Sequence, residues 1–219
     1  MEITKNTESY FLCLLLKKEL ESHRNRYKRK FYSTYDFYIW IKQSFITLKN
    51  FKDFIQKSSK LLAEYNDLLE LRKQLTPGLE FVEYVRNKIC GHIDDNFIKY
   101  AIMWNPHVVE KSKSNENNKS TDILLRVELF AKSLVESAVN SFIVDVPKQS
   151  IFKSEIDFFY TPSYIKLRII IVEIINTAIE FIDNFSSKLE KDIVYYDDNE
   201  LINAYEIAKI MDFGTKRGY

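Results

Sequence analysis

Four glycines and four prolines are all that 219 residues contain, and that scarcity is the strongest constraint on what the chain can become. Strand-rich folds need turn signals every ~8–12 residues, and turns draw on these residue types. A chain with so few of them must spend its length in long helices joined by few connections. The expected fold is therefore all-α: an antiparallel helical bundle with additional C-terminal helices, a single domain over 1–219. Sixteen Phe and fourteen Tyr supply the bulk that helix packing needs.

Thirty-two basic residues nearly cancel thirty-one acidic ones, leaving a net charge of +1. Such a balance gives no global pull toward nucleic acid or an anionic membrane, so either partner requires a local patch. Cys13 and Cys90 are too few and too far apart for a disulfide framework, and are expected to be free thiols. The apolar run Tyr10–Leu16 follows Glu2 and Glu8 and precedes Lys17 and Lys18 with no small-residue cleavage site, unlike a secretion signal. Lys166, Arg168, Glu173 and Glu180 interrupt the apolar stretch 165–182, which reads as a buried helix rather than a membrane span. A cytoplasmic protein without membrane association is expected.

Periodicity places the elements. A first helix over about 7–31 carries the stripe Leu16, Leu20, Tyr27 and Phe31, with His23, Arg24, Arg26, Lys28, Arg29 and Lys30 making its far end basic. Asp36 is expected to cap a second helix with Ile41, Phe45, Leu48, Phe51 and Ile55 inward. A break is expected near Ser58-Ser59, after which Leu61, Tyr65, Leu68 and Leu75 take over. Thr76-Pro77 has the form of a helix start, N-cap threonine and proline at the first position. The stripe Phe81, Val82, Val85 and Ile89 follows, and Gly91 is expected to stop the helix in a left-handed conformation.

A short helix is then expected from Asp95 to Trp104, with the acidic pair Asp94-Asp95 at its N-cap. A flexible polar loop is expected at about 108–121. Thr121 or Asp122 would cap the next helix, with Val127, Phe130, Leu134, Ala138 and Phe142 inward. Residues 151–160 read as irregular, Thr161-Pro162-Ser163 as the start of a helix to about Glu190, and 199–211 as a last helix.

Chemistry-bearing motifs are few. Glycine-rich phosphate loops, nucleophile elbows and Cys/His metal spacings are absent. The three histidines are His23, His92 and His107. Metal binding would require His92 with Asp94 and Asp95, joined by His107, a spacing that is not diagnostic, so no metal and no cofactor is expected. One segment stands apart: Arg86-Asn87-Lys88-Ile89-Cys90-Gly91-His92. Arg86 and His92 are six positions apart, about 240° around an ideal helix. An unbroken helix would drop His92 beside Val85 and Ile89, whereas a helix ending at Gly91 lets the imidazole turn back toward Arg86. On the structural alternative, Arg86 would pair with Glu83 and Gly91 would be merely a cap.

This segment resembles the R-x(4–6)-H motif of HEPN domains, in which a polar residue, often asparagine, follows the arginine. The resemblance covers the motif and the helical layout of about 140 residues. It implies a metal-independent endoribonuclease, in some members a toxin or phage-defence effector, in others a non-catalytic RNA-binding or interaction module. Carried over by position, Arg86 would hold the scissile phosphate, His92 would act as general acid or base, and Asn87 would orient one of them. A homodimer with a shared groove and an inhibitory protein partner are further implications.

RNA carries its own nucleophile, the 2′-hydroxyl, so this chemistry needs no metal-activated water. The basic residues Arg24, Arg26, Lys28, Arg29 and Lys30, with Tyr27 and Tyr32 for stacking, would guide the RNA strand. The alternatives are a helical interaction module with the same fold, and a nucleotide-binding regulator with a pocket lined by Arg24 and Lys28.

Overall fold

A threonine opens the first helix: Thr4 is extended and its side chain accepts from the backbone N–H of Thr7, starting α1 (Lys5–Tyr27). The computed structural model describes residues 4–29, 31, 33–91, 93–110, 119–158, 160–193, 195 and 197–210. The structure is 83% helical, and no strand occurs among the described residues. After α1 come α2 (Thr34–Lys57), a single turn α3 (Ser59–Leu62), α4 (Asn66–Val85), α5 (Asp95–Trp104), α6 (Lys119–Asp145), α7 (Thr161–Leu189) and α8 (Asp198–Ile210).

The helices pack as a bundle, and side-chain ties give their directions. Along α1 and α7, Asn6 meets Asp192 just past the end of α7, Tyr10 meets Glu190, Lys17 pairs with Asp183 at 2.6 Å, and Arg168 lies over the Tyr27 ring. The descending partner numbers make the two helices antiparallel. The same logic sets α2 against α1, since Thr47 donates to Glu19, Arg26 donates to Gln43, and Trp40 Nε1 donates to the carbonyl of His23. One apolar cluster of buried side chains runs between the helices, with Trp40, Phe45, Phe51, Phe81, Phe142, Phe181 and Phe185 among its largest members. No described helix is long and apolar enough to cross a membrane. Cys13 and Cys90 are both free and buried.

Several boundaries differ from expectation. The first helix ends at Tyr27 rather than near Phe31. Ser33, not Asp36, caps α2: its hydroxyl accepts the backbone N–H of Asp36, whose carboxylate sits in the first turn near the positive helix end. The break after Lys57 falls where expected, at Ser58. Thr76-Pro77 opens no helix; α4 runs straight through it. Proline brings no N–H to the ladder, and the Thr76 hydroxyl turns back to donate to the Arg72 carbonyl at 2.8 Å. Leu68, Leu75, Leu79 and Val82 are buried on both sides of Pro77, and this continuous apolar face outweighs the local penalty.

Asp94 caps α5 as expected. Of the expected polar loop, residues 111–118 lie outside the described residues, and α6 already begins at Lys119, ahead of Thr121 and Asp122. Val127 is 42% exposed, a correction to its inward assignment, while Leu134, Ala138 and Phe142 are buried as read. The irregular segment after α6 is anchored by side chains in place of a strand partner. Asn140 donates to the Ile156 carbonyl and accepts its N–H, and Glu136 accepts the N–H of Phe158, which fastens Ile156 and Phe158 into the core. The last helix begins at Asp198, and Met211 lies outside the described residues.

Candidate functional site

The motif segment does not end as a left-handed glycine cap. Beyond Val85 the helix widens into one π turn, Arg86–Cys90, in which the N–H of Gly91 donates to the carbonyl of Arg86 at 3.2 Å. Gly91 has φ −85° and ψ −75°, a right-handed conformation. No described residue has a positive φ. The N–H of Asp94 then reaches back to the Lys88 carbonyl at 3.1 Å, which closes the turn onto the start of α5. A π turn takes up an extra residue per turn and so shifts the phase of everything after it; such turns recur at functional sites.

Arg86 uses that phase shift. Its guanidinium lies directly over Gly91, so close that a Cβ on residue 91 would stand 3.3 Å from Nη1 and 3.5 Å from Cζ. Arg86 Nη1 donates to Asn87 Oδ1 at 3.2 Å. Its Nε is buried and has no hydrogen-bond partner, and no carboxylate pairs with Arg86 among the described residues. Glu83, the partner expected on the structural alternative, is taken up by Lys52 at 2.5 Å and Lys49 at 3.2 Å, which hold its carboxyl below the usual range. The negative end of the helix, close under Gly91, helps hold a cation there. His92, the next residue in sequence after Gly91, lies outside the described residues.

A second cation approaches the same spot. Lys42 of α2 sits over the Tyr38 ring, 5.4 Å from its centroid, and both Lys42 and Arg86 act electrostatically on Cys90. Burial pushes the Cys90 thiol up to about 12 against the pull of the two cations, so it is a neutral packing group at pH 7 rather than a nucleophile. Burial likewise pushes the Tyr38 hydroxyl up to about 12. Lys88 is occupied: it pairs with Asp94 at 3.3 Å and lies near the Tyr84 and Phe97 rings. Arg86 and Lys42 thus act together on Cys90, and neither forms an ion pair with a carboxylate among the described residues.

The basic end of α1 divides into two groups. Arg26 and Arg29 line a cavity of about 680 Å³ together with Lys18, Ser22, Asn25, Phe31 and the acidic residues Glu21 and Asp36. Arg24 stands two turns beyond Lys17, the partner of Asp183 on α7; it lies 3.9 Å from Glu21 and keeps a buried Nε without a partner. Lys28 is exposed. The cavity is therefore not the one lined by Arg24 and Lys28 that a nucleotide-binding regulator would show. Lys30 and Tyr32 lie outside the described residues. Adjacent residues of α2 link the regions, since Gln43 receives Arg26 while Lys42 stands near Cys90 and Arg86.

Two cations were missed from sequence, Lys42 and Arg168. The guanidinium of Arg168 lies 4.9 Å from the Phe31 ring centre, 5.0 Å from Tyr27 and 5.6 Å from Tyr164, and it too has a partnerless buried Nε. Each follows an aromatic residue by four positions, Tyr38 and Tyr164, and that spacing was the available signal. Of the other histidines, His107 pairs with Glu110 on the surface, and His23 is built into the α1–α2 contact through Thr47 at 3.1 Å. Among the described residues no three His, Cys, Asp or Glu side chains gather as a metal site requires.

No family model matches the chain, and neither a curated protein nor a solved structure matches it.

Proposed function

We propose that the chain is a metal-independent endoribonuclease of the HEPN type, in which Arg86, Asn87 and His92 cleave RNA by attack of the ribose 2′-hydroxyl. The observation that carries this reading is the Arg86 guanidinium, without a carboxylate partner among the described residues and laid over Gly91, the residue before His92. A planar cation in that place can bind a phosphate through two N–H groups and stabilise the charge that builds during attack. Asn87 holds one nitrogen of the fork and so restricts its rotation. Lys42 adds a second positive charge close by. His92 would take the 2′-hydroxyl proton or supply one to the departing 5′-oxygen. Arg26, Arg29, Lys28 and Arg24 would meet the strand further along, joined by Arg168. A homodimer sharing the groove, a cytoplasmic setting and restraint by an inhibitory protein belong to the same proposal.

RNA cleavage in EDTA tests it. The wild type should release fragments ending in 2′,3′-cyclic phosphate. Arg86→Ala and His92→Ala should each lower the rate by about 10²–10³-fold without loss of helical signal. Cleavage that persists unchanged in both folded variants, or that requires a divalent metal, rejects the proposal.

A second reading, a non-catalytic interaction module, draws on the surface of α5, the 3-10 turn Pro106–Val109 and the first half of α6. Met103, Trp104, Val109, Ile123, Leu124 and Leu125 are each more than half exposed there. Exposed apolar side chains at that density mark interaction surfaces. Folded wild type that leaves a broad RNA pool intact would favour this second reading.

A further inference from the structure

We propose that the groove between α5 and the C-terminal half of α6 is a binding site for an organic cation, a guanidinium or alkylammonium group. It is separate from the Arg86 region and does not depend on the ribonuclease reading. Tyr100 and Trp104 form one wall, Asn140, Ser141, Val144 and Asp145 the other, and Glu155 stands at the rim. The cavity measures about 230 Å³. Sites for drug-sized ligands generally run to about 300–1,000 Å³, so this one matches a side-chain-sized group rather than a nucleotide.

Its lining chooses the charge of the ligand. Asp145 accepts a hydrogen bond from Tyr84 Oη, which holds the carboxylate in place, and neither Asp145 nor Glu155 has a cationic partner among the described residues. Tyr100 is 46% and Trp104 54% exposed, leaving ring faces open beside those carboxylates. Aromatic faces attract cations through the ring quadrupole, and a carboxylate next to them adds directional hydrogen bonds. A phosphate or carboxylate ligand would meet two like charges.

The floor supplies the independent sign that something polar belongs here. Ser137 is 2% exposed, lines the cavity, and its Oγ has no hydrogen-bond partner. Buried hydroxyls are ordinarily satisfied, so one without a partner beside a cavity marks its floor as short of a polar group. Neighbouring Asn140 cannot serve, because both ends of its amide are already committed to Ile156. A guanidinium stacked on Trp104 could donate to the carboxylates beside it.

Tryptophan emission from the full chain gives the test. Trp40 is buried and hydrogen-bonded to the His23 carbonyl, so a response to ligand should come from Trp104 and vanish in Trp104→Phe. N-acetyl-arginine amide and butylammonium should change the emission saturably, while neutral N-acetyl-citrulline amide should bind at least about tenfold more weakly. Glu155→Gln alters an exposed side chain, and Asp145→Asn can still accept from Tyr84; each should weaken cation binding with the melting temperature unchanged. If Asp145→Asn lowers the melting temperature, Glu155→Gln decides alone. An acetyl-Gly-Arg-Gly-amide peptide that binds more tightly than acetyl-arginine amide marks a partner's side chain as the source, and equal binding marks a free small cation. The proposal is overturned by a folded wild type without saturable response, by equal binding of the citrulline compound, or by Glu155→Gln binding as the wild type does.

Discussion

Gly91 has room for its hydrogen and little else on the side that Arg86 covers. Its backbone angles suit alanine without strain, so only the 3.3 Å contact with Arg86 Nη1 opposes a methyl group. That atom is the far end of a long side chain, tied only to Asn87 at 3.2 Å, and it can move aside by a few tenths of an ångström at the expense of that bond. Gly91→Ala should therefore leave stability unchanged or raise it by up to about 1 kcal/mol, through a less mobile unfolded chain. If the guanidinium binds the scissile phosphate, the same shift should slow cleavage by about three- to tenfold, because misplacement of a catalytic group is costly. Thermal melts run beside the EDTA cleavage assay separate the two effects. Sequence reading found Arg86, Asn87 and Gly91 as a group and the end of the helix, but assigned Gly91 the wrong conformation. A π turn has no residue signature comparable to a capping serine, and Lys42 reaches Cys90 only through packing of α2.

At the scale of elements, the contact of α4 with α7 at Ile174 depends on one missing side chain. A Cβ on Gly78 would stand 2.7 Å from Ile174 Cγ1 and 2.9 Å from its Cδ1. Cγ1 is next to the branch point of a residue that is 9% exposed, and it cannot swing clear as an arginine tip can. Gly78→Ala gains up to ~1 kcal/mol in helix propensity, and overpacking costs ~1–3 kcal/mol, so the variant should be neutral to destabilised by about 2 kcal/mol. In Gly78→Ala with Ile174→Ala the new methyl has space, and denaturant unfolding should give a double-mutant loss smaller than the sum of the single losses. This contact also explains why Thr76-Pro77 misled. Thr-Pro has the same form at a helix start as inside a helix, and only the apolar face continuing from Leu68 to Val82 against α7 distinguishes them. Asp94 was legible as the cap of α5 and Thr161-Pro162 as the start of α7, although Tyr160 holds the N-cap position there without a side-chain bond. Ser33 was passed over for Asp36, three residues on, because both are capping types and the backbone alone decides between them.

For the whole molecule, the turn-poor composition made the helical bundle legible, since packing residues at helical spacing left no other fold class open. How the helices are tied was not, because those contacts join positions far apart in sequence. The clearest case is the network of His23, Thr47 and Glu19 between α1 and α2, where a residue read as part of a basic surface is half-buried against a second helix. Burial lowers the His23 pKa from 6.5, with Arg26 acting in the same direction and Glu19 opposing. The folded state thus prefers neutral imidazole, and below about pH 6.5 the unfolded chain binds a proton that the folded one resists. Stability contributed by this group is full above 6.5 and is lost as the pH falls toward the lowered folded value. Glu83, Asp67 and Asp94, held low by hydrogen bonds and opposite charges, lose their contributions only below the ordinary carboxylate range. Glu136 acts in the opposite sense, since burial raises its pKa and stability falls as the pH rises through that window. Two groups of opposite sign make the bare pH profile ambiguous, so the comparison must be with His23→Gln, which can still reach Thr47 with a neutral amide. The wild type should lose more of its melting temperature than His23→Gln between pH 7.5 and pH 5, values chosen to bracket the histidine step. Equal losses in the two proteins would show that His23 titrates alike folded and unfolded, and that the α1–α2 network does not hold the imidazole neutral.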